Sequence, residues 1–204
     1  MRLIYNIRDW NQRHLDTIIS IMFSKYYTLL TLIQAKYWRG VNIGKNCEFR
    51  GIPYIRKAPN SIINIGNNCV FNSMNRFNLA GINHPCHIST FNEKAILKIG
   101  DNCGFSGTVI AASQNIIIGN NVLCGSNTLI ADNDWHNDRY ISVRGETLPV
   151  KIGDNVWIGM GSYILKGVTI EDNSIIAAGS VVTKSMPSNI IAAGVPAKII
   201  KKMK

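Results

Sequence analysis

The sequence predicts an all-β fold, a parallel solenoid of triangular cross-section preceded by a short helical segment. The first observation is a recurring phrase: Ile43-Gly44-Lys45-Asn46-Cys47, Ile65-Gly66-Asn67-Asn68-Cys69, Ile99-Gly100-Asp101-Asn102-Cys103, Ile118-Gly119-Asn120-Asn121-Val122, Ile152-Gly153-Asp154-Asn155-Val156 and Ile170-Glu171-Asp172-Asn173-Ser174. The leading isoleucines are 22, 34, 19, 34 and 18 residues apart, so a unit near eighteen repeats with insertions, and period outranks other signals in reading a fold. The second is a finer step: Ile152, Ile158, Ile164 and Ile170 are six apart. The third is composition, rich in Ile, Val, Asn and Gly with only 17% charged residues, which suits short strands and tight turns. Three strands of about six residues close one triangular turn. The aliphatics stack inside, and Gly, Asn and Asp supply the corner conformations.

At 204 residues the chain makes one domain with a small appendage. We divide it into a helical segment (1–40), the solenoid (41–197) and a basic C-terminal tail (198–204). The 22 Lys+Arg against 12 Asp+Glu give a formal charge of +10, which favours anionic partners such as phosphorylated cofactors, glycans or headgroups. No zinc-finger spacing, helix-turn-helix pattern or aromatic-interleaved basic motif is present, so no nucleic-acid partner is expected. Five scattered cysteines argue against a disulfide framework, and Met1–His14 lacks a secretory cleavage pattern; a cytoplasmic chain is expected.

Leu15, Ile18, Ile19, Met22, Tyr26, Leu29, Leu30 and Ile33 recur at helical spacing. Lys25 would fall in mid-bilayer, which argues against a spanning helix. The simpler expectation is packing on the main body or a neighbouring subunit. The alternative is a peripheral membrane contact, with Arg2, Arg8, Arg13, Lys25, Lys36 and Arg39 facing headgroups.

The repeat register makes Cys47, Cys69 and Cys103 inward fillers, in the slot of Val122, Val156 and Ser174; Cys124 lies in a strand and Cys86 falls outside the register. With Gly153-Asp154-Asn155-Val156-Trp157-Ile158-Gly159 and Gly194-Val195-Pro196-Ala197-Lys198, this pattern resembles the hexapeptide-repeat acyltransferases, in particular the bacterial sugar and glycan O-acetyltransferases. The resemblance covers roughly residues 41–200. It implies a left-handed parallel β-helix, a homotrimer and acetyl-coenzyme A as co-substrate. General topology rules favour right-handed crossovers, so the hand comes from the resemblance alone.

The repeat breaks off at Ala131–Arg139, an acid-rich segment with one imidazole. The resemblance places the catalytic base in this region, just before the Trp157 coil, and His136 matches by context. Transfer from a thioester to a hydroxyl needs a base and an oxyanion stabiliser, and histidine is suited to the first role. Asp132 or Asp134 is expected to orient the ring. A calcium loop would need Gly and Glu where Asn137 and Val143 stand. His84 and His87 have chelating spacing, but the resemblance gives no such zinc placement and no metal is expected; His84 is assigned instead to the acceptor pocket. The resemblance also assigns Ser106 and Trp157 to the acceptor. To the coenzyme it assigns Gly159, Met160 and Ala178 (backbone) and Thr183, Lys184, Lys198 and Lys201 (phosphates and adenosine), Lys201 less firmly because tails fray. His14 is read as a surface residue. An N-acetyltransferase for an amino sugar nucleotide, and a non-catalytic solenoid, remain as alternatives.

Overall fold

The computed structural model describes residues 2–37 and 41–203, and the side chains of 16–35 and 41–203. Expectations resting on Arg2, Arg8, Arg13, His14, Leu15, Lys36 and Arg39 fall on side chains outside the described residues.

Helix α1 (Arg2–Tyr37), inside the helical segment expected at 1–40, precedes six coils. Coil 1 holds β1 (Val41–Ile43), β2 (Glu48–Arg50) and β3 (Tyr54–Arg56); coil 2 holds β4 (Ile62–Ile65), β5 (Val70–Asn72) and β6 (His87–Thr90). Coil 3 comprises β7 (Ile96–Ile99), β8 (Gly104–Ser106) and β9 (Val109–Ala112); coil 4 comprises β10 (Asn115–Ile118), β11 (Leu123–Cys124) and β12 (Leu129–Ala131). In coil 5 come β13 (Val150–Ile152), β14 (Trp157–Ile158) and β15 (Tyr163–Ile164), and in coil 6 β16 (Thr169–Ile170), β17 (Ile175–Ile176) and β18 (Val181–Val182). Every third strand stacks in parallel, giving three walls. Wall A runs from β1 to β16, wall B from β2 to β17 and wall C from β3 to β18.

The repeat phrase marks one corner of the prism. Ile43, Ile65, Ile99, Ile118, Ile152 and Ile170 are in register on wall A. At the turn into wall B, Asn46, Asn68, Asn102, Asn121, Asn155 and Asn173 all hold φ between 56 and 59°. Asparagine tolerates this left-handed conformation better than other non-glycine residues. Each of the first five amides donates to the next coil's amide oxygen, at 3.0–3.3 Å along the ladder. In the first five coils the glycine two positions earlier is required by proximity: a Cβ on Gly66 would sit 2.5 Å from the Gly100 carbonyl oxygen, whereas the last coil, with none stacked on it there, carries Glu171.

The core is a column of aliphatics, with Phe49, Phe71 and Phe105 stacked at 4.9 and 5.0 Å along wall B. Cys47, Cys69, Cys103, Val122, Val156 and Ser174 share one buried slot, as the register predicts. Cys86 and Cys124 are also buried, and burial pushes both thiols up, which removes them as nucleophiles.

Two expectations change. The basic tail is ordered: β20 (Ala197–Lys202) pairs antiparallel with β19 (Ile190–Gly194), itself parallel to β17, so the last strands cover the growing edge of wall B. Within one chain most of the apolar stripe of α1 is exposed rather than packed on the solenoid, with Ile19 and Leu30 half-buried; packing on a neighbouring subunit, the other part of that expectation, is a matter of the assembly. Ile18, Met22, Tyr26, Leu29 and Ile33 are exposed, whereas Ser24, Thr31 and Ala35 are buried against coil 1. The inner face is polar because it meets the open edge of β2, where the Phe49 N–H donates to Thr28 Oγ1 at 2.9 Å.

Candidate functional site

The irregular insertions fall on two different edges of the prism, and every sequence-predicted site residue lies on one of these edges or on wall B. Residues 132–149 leave the edge between walls C and A, between β12 and β13. They form an arm held by an antiparallel bridge between Asn133 and Thr147 and by main-chain bonds from Leu148 N to Asp132 O (2.9 Å), Asp134 N to Glu146 O (3.1 Å) and Asn137 N to Val143 O (2.9 Å). Gly145 packs directly on the backbone of His136: a Cβ there would lie 2.5 Å from the His136 carbonyl oxygen.

Asp132 is wholly buried, and its carboxylate accepts three backbone N–H bonds from the turn one coil earlier: Ser113 at 2.6 Å, Gln114 at 2.7 Å and Asn115 at 2.8 Å. Its role is to anchor the arm. Asp134 pairs with Lys166 at 2.8 Å, and Lys166 also contacts Glu146. The Asp134 carboxylate, then that of Glu146, pushes the Lys166 ammonium pKa up. The His136 N–H donates to the Asp134 carbonyl oxygen, but neither aspartate's carboxylate is a partner of the ring, where one of them was expected to orient it. Instead His136 Nδ1 lies 2.7 Å from the Ile141 carbonyl oxygen. A carbonyl only accepts, so Nδ1 carries the proton and Nε2 of the neutral ring keeps its lone pair. The exposed imidazole borders a cleft of about 670 Å³ lined by Asp134, Asn137, Asp138, Glu146 and Lys166.

On the other side of the arm, Trp135 holds a left-handed φ of 61°, which sends its indole away from His136 and edge-on to Phe91, with ring centroids 5.0 Å apart. Arg144, bonded to Asn92 Oδ1, borders the same small pocket. Sequence reasoning missed Lys166, Ile141, Phe91 and Arg144. The Ile141 contact is main-chain and has no side-chain signature, and the others become neighbours only through coil stacking.

The edge between walls B and C carries the second group. The backbone of His84 lies over Gly107 of coil 3, and Asn83 N–H donates to Asn127 Oδ1 at 2.8 Å. The His84 and His87 rings meet edge to face at 5.5 Å, and burial, then the His84 charge, lowers the His87 pKa. Among the described residues, no group of three or more His, Cys, Asp or Glu side chains is placed to hold a metal ion. Ser106 is buried and accepts from Asn72 Nδ2 at 3.0 Å, leaving the buried Asn72 Oδ1 without a partner. Gly159, Met160 and Ala178 stack here: a Cβ on Gly159 would lie 2.4 Å from Ala178 N, and Gly179 N–H donates to Met160 O at 2.8 Å.

Trp157 is exposed on wall B and starts a row running across the register through Ile175 and Ile191 to Lys201. Lys198 lies on the same closing hairpin, opposite Ala193. Thr183 and Lys184 instead follow β18 on the C/A edge, where extending the Ile164–Val182 register sets Lys184 opposite Lys166. The structure therefore brings Met160, Ala178, Ser106 and His84 to one edge and His136, Thr183 and Lys184 to another, with wall C between them.

Residues 149–184 match the family model for the bacterial transferase hexapeptide (six repeats). The galactoside O-acetyltransferase of Escherichia coli is 40% identical over 111 residues, covering 52% of this chain and 54% of that protein. The galactoside O-acetyltransferase of Lactococcus lactis is 31% identical over 154 residues, covering 64% of this chain and 74% of that protein. A hexapeptide-repeat-containing acetyltransferase from Vibrio cholerae, solved with acetyl coenzyme A, superposes with a TM-score of 0.50 at 34% identity, covering 52% of this chain and 60% of that one. The chain spans about half the length of several curated relatives it matches. Six stacked three-strand coils, the asparagine corner and these similarities lead to one assignment: the chain belongs to the bacterial hexapeptide-repeat transferase family and shares its left-handed parallel β-helix.

Proposed function

We propose that this protein transfers acetyl from acetyl-coenzyme A to a hydroxyl of a sugar or glycan, as a homotrimer, with His136 as general base. The observation that carries the reading is the state of His136. Its Nδ1 is tied to a main-chain carbonyl and its Nε2 is free beside an open cleft. Nε2 takes the acceptor hydroxyl proton as the oxygen attacks the thioester carbonyl. The tetrahedral oxyanion then collapses, the C–S bond breaks, and the imidazolium returns the proton to the leaving thiolate.

Acetyl-coenzyme A is the donor of choice because the Vibrio cholerae relative was solved with it. In this chain the backbone N–H groups of Met160 and Ala178 donate to no group among the described residues, which leaves them available to pantetheine amides or to the oxyanion. Lys198 and Lys201, at the end of the row that starts with Trp157, supply cations for the phosphates. Sugar acceptors follow from the relatives' names, and an exposed indole such as Trp157 suits a pyranose face. A trimer is proposed because one chain leaves His136 and Trp157 on separate faces. In the trimer we propose, the C/A edge of one prism would face wall B of the next. Five buried free cysteines fit a cytoplasmic setting.

The test is thiol release from acetyl-coenzyme A with a panel of galactosides, nucleotide sugars and amino sugars. The wild type is expected to turn over with hydroxyl acceptors, and His136→Ala to lose turnover while keeping its oligomeric state and melting temperature. Undiminished turnover in the variant sinks the assignment of the base. Amino acceptors alone being used would favour N-acetyl transfer, and no thermal shift with acetyl-coenzyme A would favour a non-catalytic solenoid.

A further inference from the structure

We infer that α1 is an interfacial anchor that seats the N-terminal end of the prism on an anionic bilayer surface. The helix is inside out relative to one packed on a soluble core. At 100° per residue, Ile18, Met22, Tyr26, Leu29, Leu32 and Ile33 fall within an arc of roughly 120°. They are between 41 and 66% exposed. The opposite side, with Ser20, Ser24, Thr28, Thr31 and Ala35, is the one turned to the protein, and Thr28 caps the otherwise unpaired Phe49 N–H of coil 1. The helix therefore terminates the solenoid with its polar side; Leu29 and Leu32, with Lys25, border a cleft of about 760 Å³ against Cys47, Glu48 and Arg50, and Ile18, Met22, Tyr26 and Ile33 are exposed beside them. Asp16 holds the helix laterally, 3.6 Å from Arg76, whose guanidinium also lies 5.7 Å from the Phe23 ring centroid.

Charge decides the occupant. Lys25 sits within the apolar arc and is exposed. In sequence, the segment is flanked by Arg2, Arg8 and Arg13 on one side and by Lys36 and Arg39 on the other, with Trp10, Tyr37 and Trp38 among them. Aromatic and basic residues at the ends of an apolar stretch match the headgroup region of a membrane, where lysine stems extend to reach phosphates. The segment Asp16–Ala35 is apolar and long enough to cross a bilayer, but a crossing would strip Thr28 from Phe49 and expose Ser20, Ser24 and Thr31 to lipid. Lying in the interface keeps every one of these contacts.

The inference is independent of the acetyl-transfer reading, and flotation of the full chain with vesicles tests it. Vesicles of phosphatidylcholine with phosphatidylglycerol are expected to carry the protein, and pure phosphatidylcholine far less. The double variant Met22→Glu, Leu29→Glu changes only exposed positions and is expected to lower the bound fraction at least about tenfold, with its melting temperature and oligomeric state unchanged. Lys25→Glu is expected to weaken binding to anionic vesicles and to leave the weak binding to neutral ones unaltered. Equal flotation of the double variant overturns the proposal. So does a wild type that ignores vesicles while the double variant changes the oligomeric state, since a second copy would then cover the face. Retention of the wild type through an alkaline carbonate wash would replace the interfacial placement with a spanning one.

Discussion

Two corners of the same prism follow opposite rules. At the A/B corner six near-identical turns stack, and each asparagine amide bonds its counterpart one coil away. At the C/A corner the chain leaves the prism once, after β12, and nearly every residue of the excursion has a different partner. The repetitive corner satisfies its polar groups with copies of itself, so it is cooperative and chemically inert. The singular corner satisfies Asp132, Asp134 and Lys166 with one another or with the scaffold, and it leaves one imidazole nitrogen unengaged. The difference teaches that in a solenoid the candidate chemistry is found where the ladder is interrupted.

The comparison can be broken most decisively at His136. His136→Ala is expected to lower kcat/KM by roughly 10²–10⁴-fold. Asp134→Asn, which leaves the Ile141 contact intact, is expected to cost no more than about tenfold. A larger loss in the aspartate variant would restore it as the orienting group. Next comes Asp132→Ala, which leaves three backbone N–H groups of a buried turn unpaired. We expect a loss of about 3 kcal/mol in urea unfolding, with turnover falling only as far as the arm loosens. At the repetitive corner, Asn121→Ala places a Cβ-bearing residue at φ 57° without the ladder amide, and about 1–2 kcal/mol should be lost. Asn121→Gly should recover part of that, and if it does not, the ladder bond outweighs the backbone conformation.

The smallest effect concerns pH. The folded-state pKa of Lys166 lies above the usual 10.5 because Asp134 and Glu146 favour its charged form. Its contribution to stability is thus fully present below pH 10.5 and is lost as pH rises through the raised value. Wild type should melt slightly higher than Lys166→Met at neutral pH, with the gap closing in strong alkali. A gap that persists there would mean that the lysine stem, not its charge, holds the arm.

Much of the fold was legible because each coil buries the same side-chain set. The phrase from Ile43 to Ser174 marked the A/B corner in all six coils, and its spacing located both insertions. The described lysines of the tail are exposed, as a basic run suggests, but its backbone pairing was not legible: the wall that ends at β17 leaves an open edge, which β19 and then β20 cover. The stripe on α1 was legible as a helical face, but apolar periodicity does not say whether solenoid, neighbouring subunit or membrane covers it. In the site, His136 was legible as the imidazole in the one acid-rich interruption. Its partner was not, because a main-chain carbonyl leaves no trace in residue types and the nearer carboxylates looked better suited.

The sequence by itself determined the repeat unit, the three-walled prism, the inert placement of the cysteines and the loop in which a base could sit. These depend on side chains that recur at fixed spacing and on contacts between equivalent positions. Only the tertiary structure decided that Asp132 anchors rather than orients, that Lys166 clamps the arm, and that His136 and Trp157 occupy separate faces of one chain. It alone showed that α1 turns its polar side inward. Those facts depend on which coil stacks on which, and a hydrogen-bonding group takes the partner that stacking brings within 3 Å, whatever its neighbours in sequence suggest.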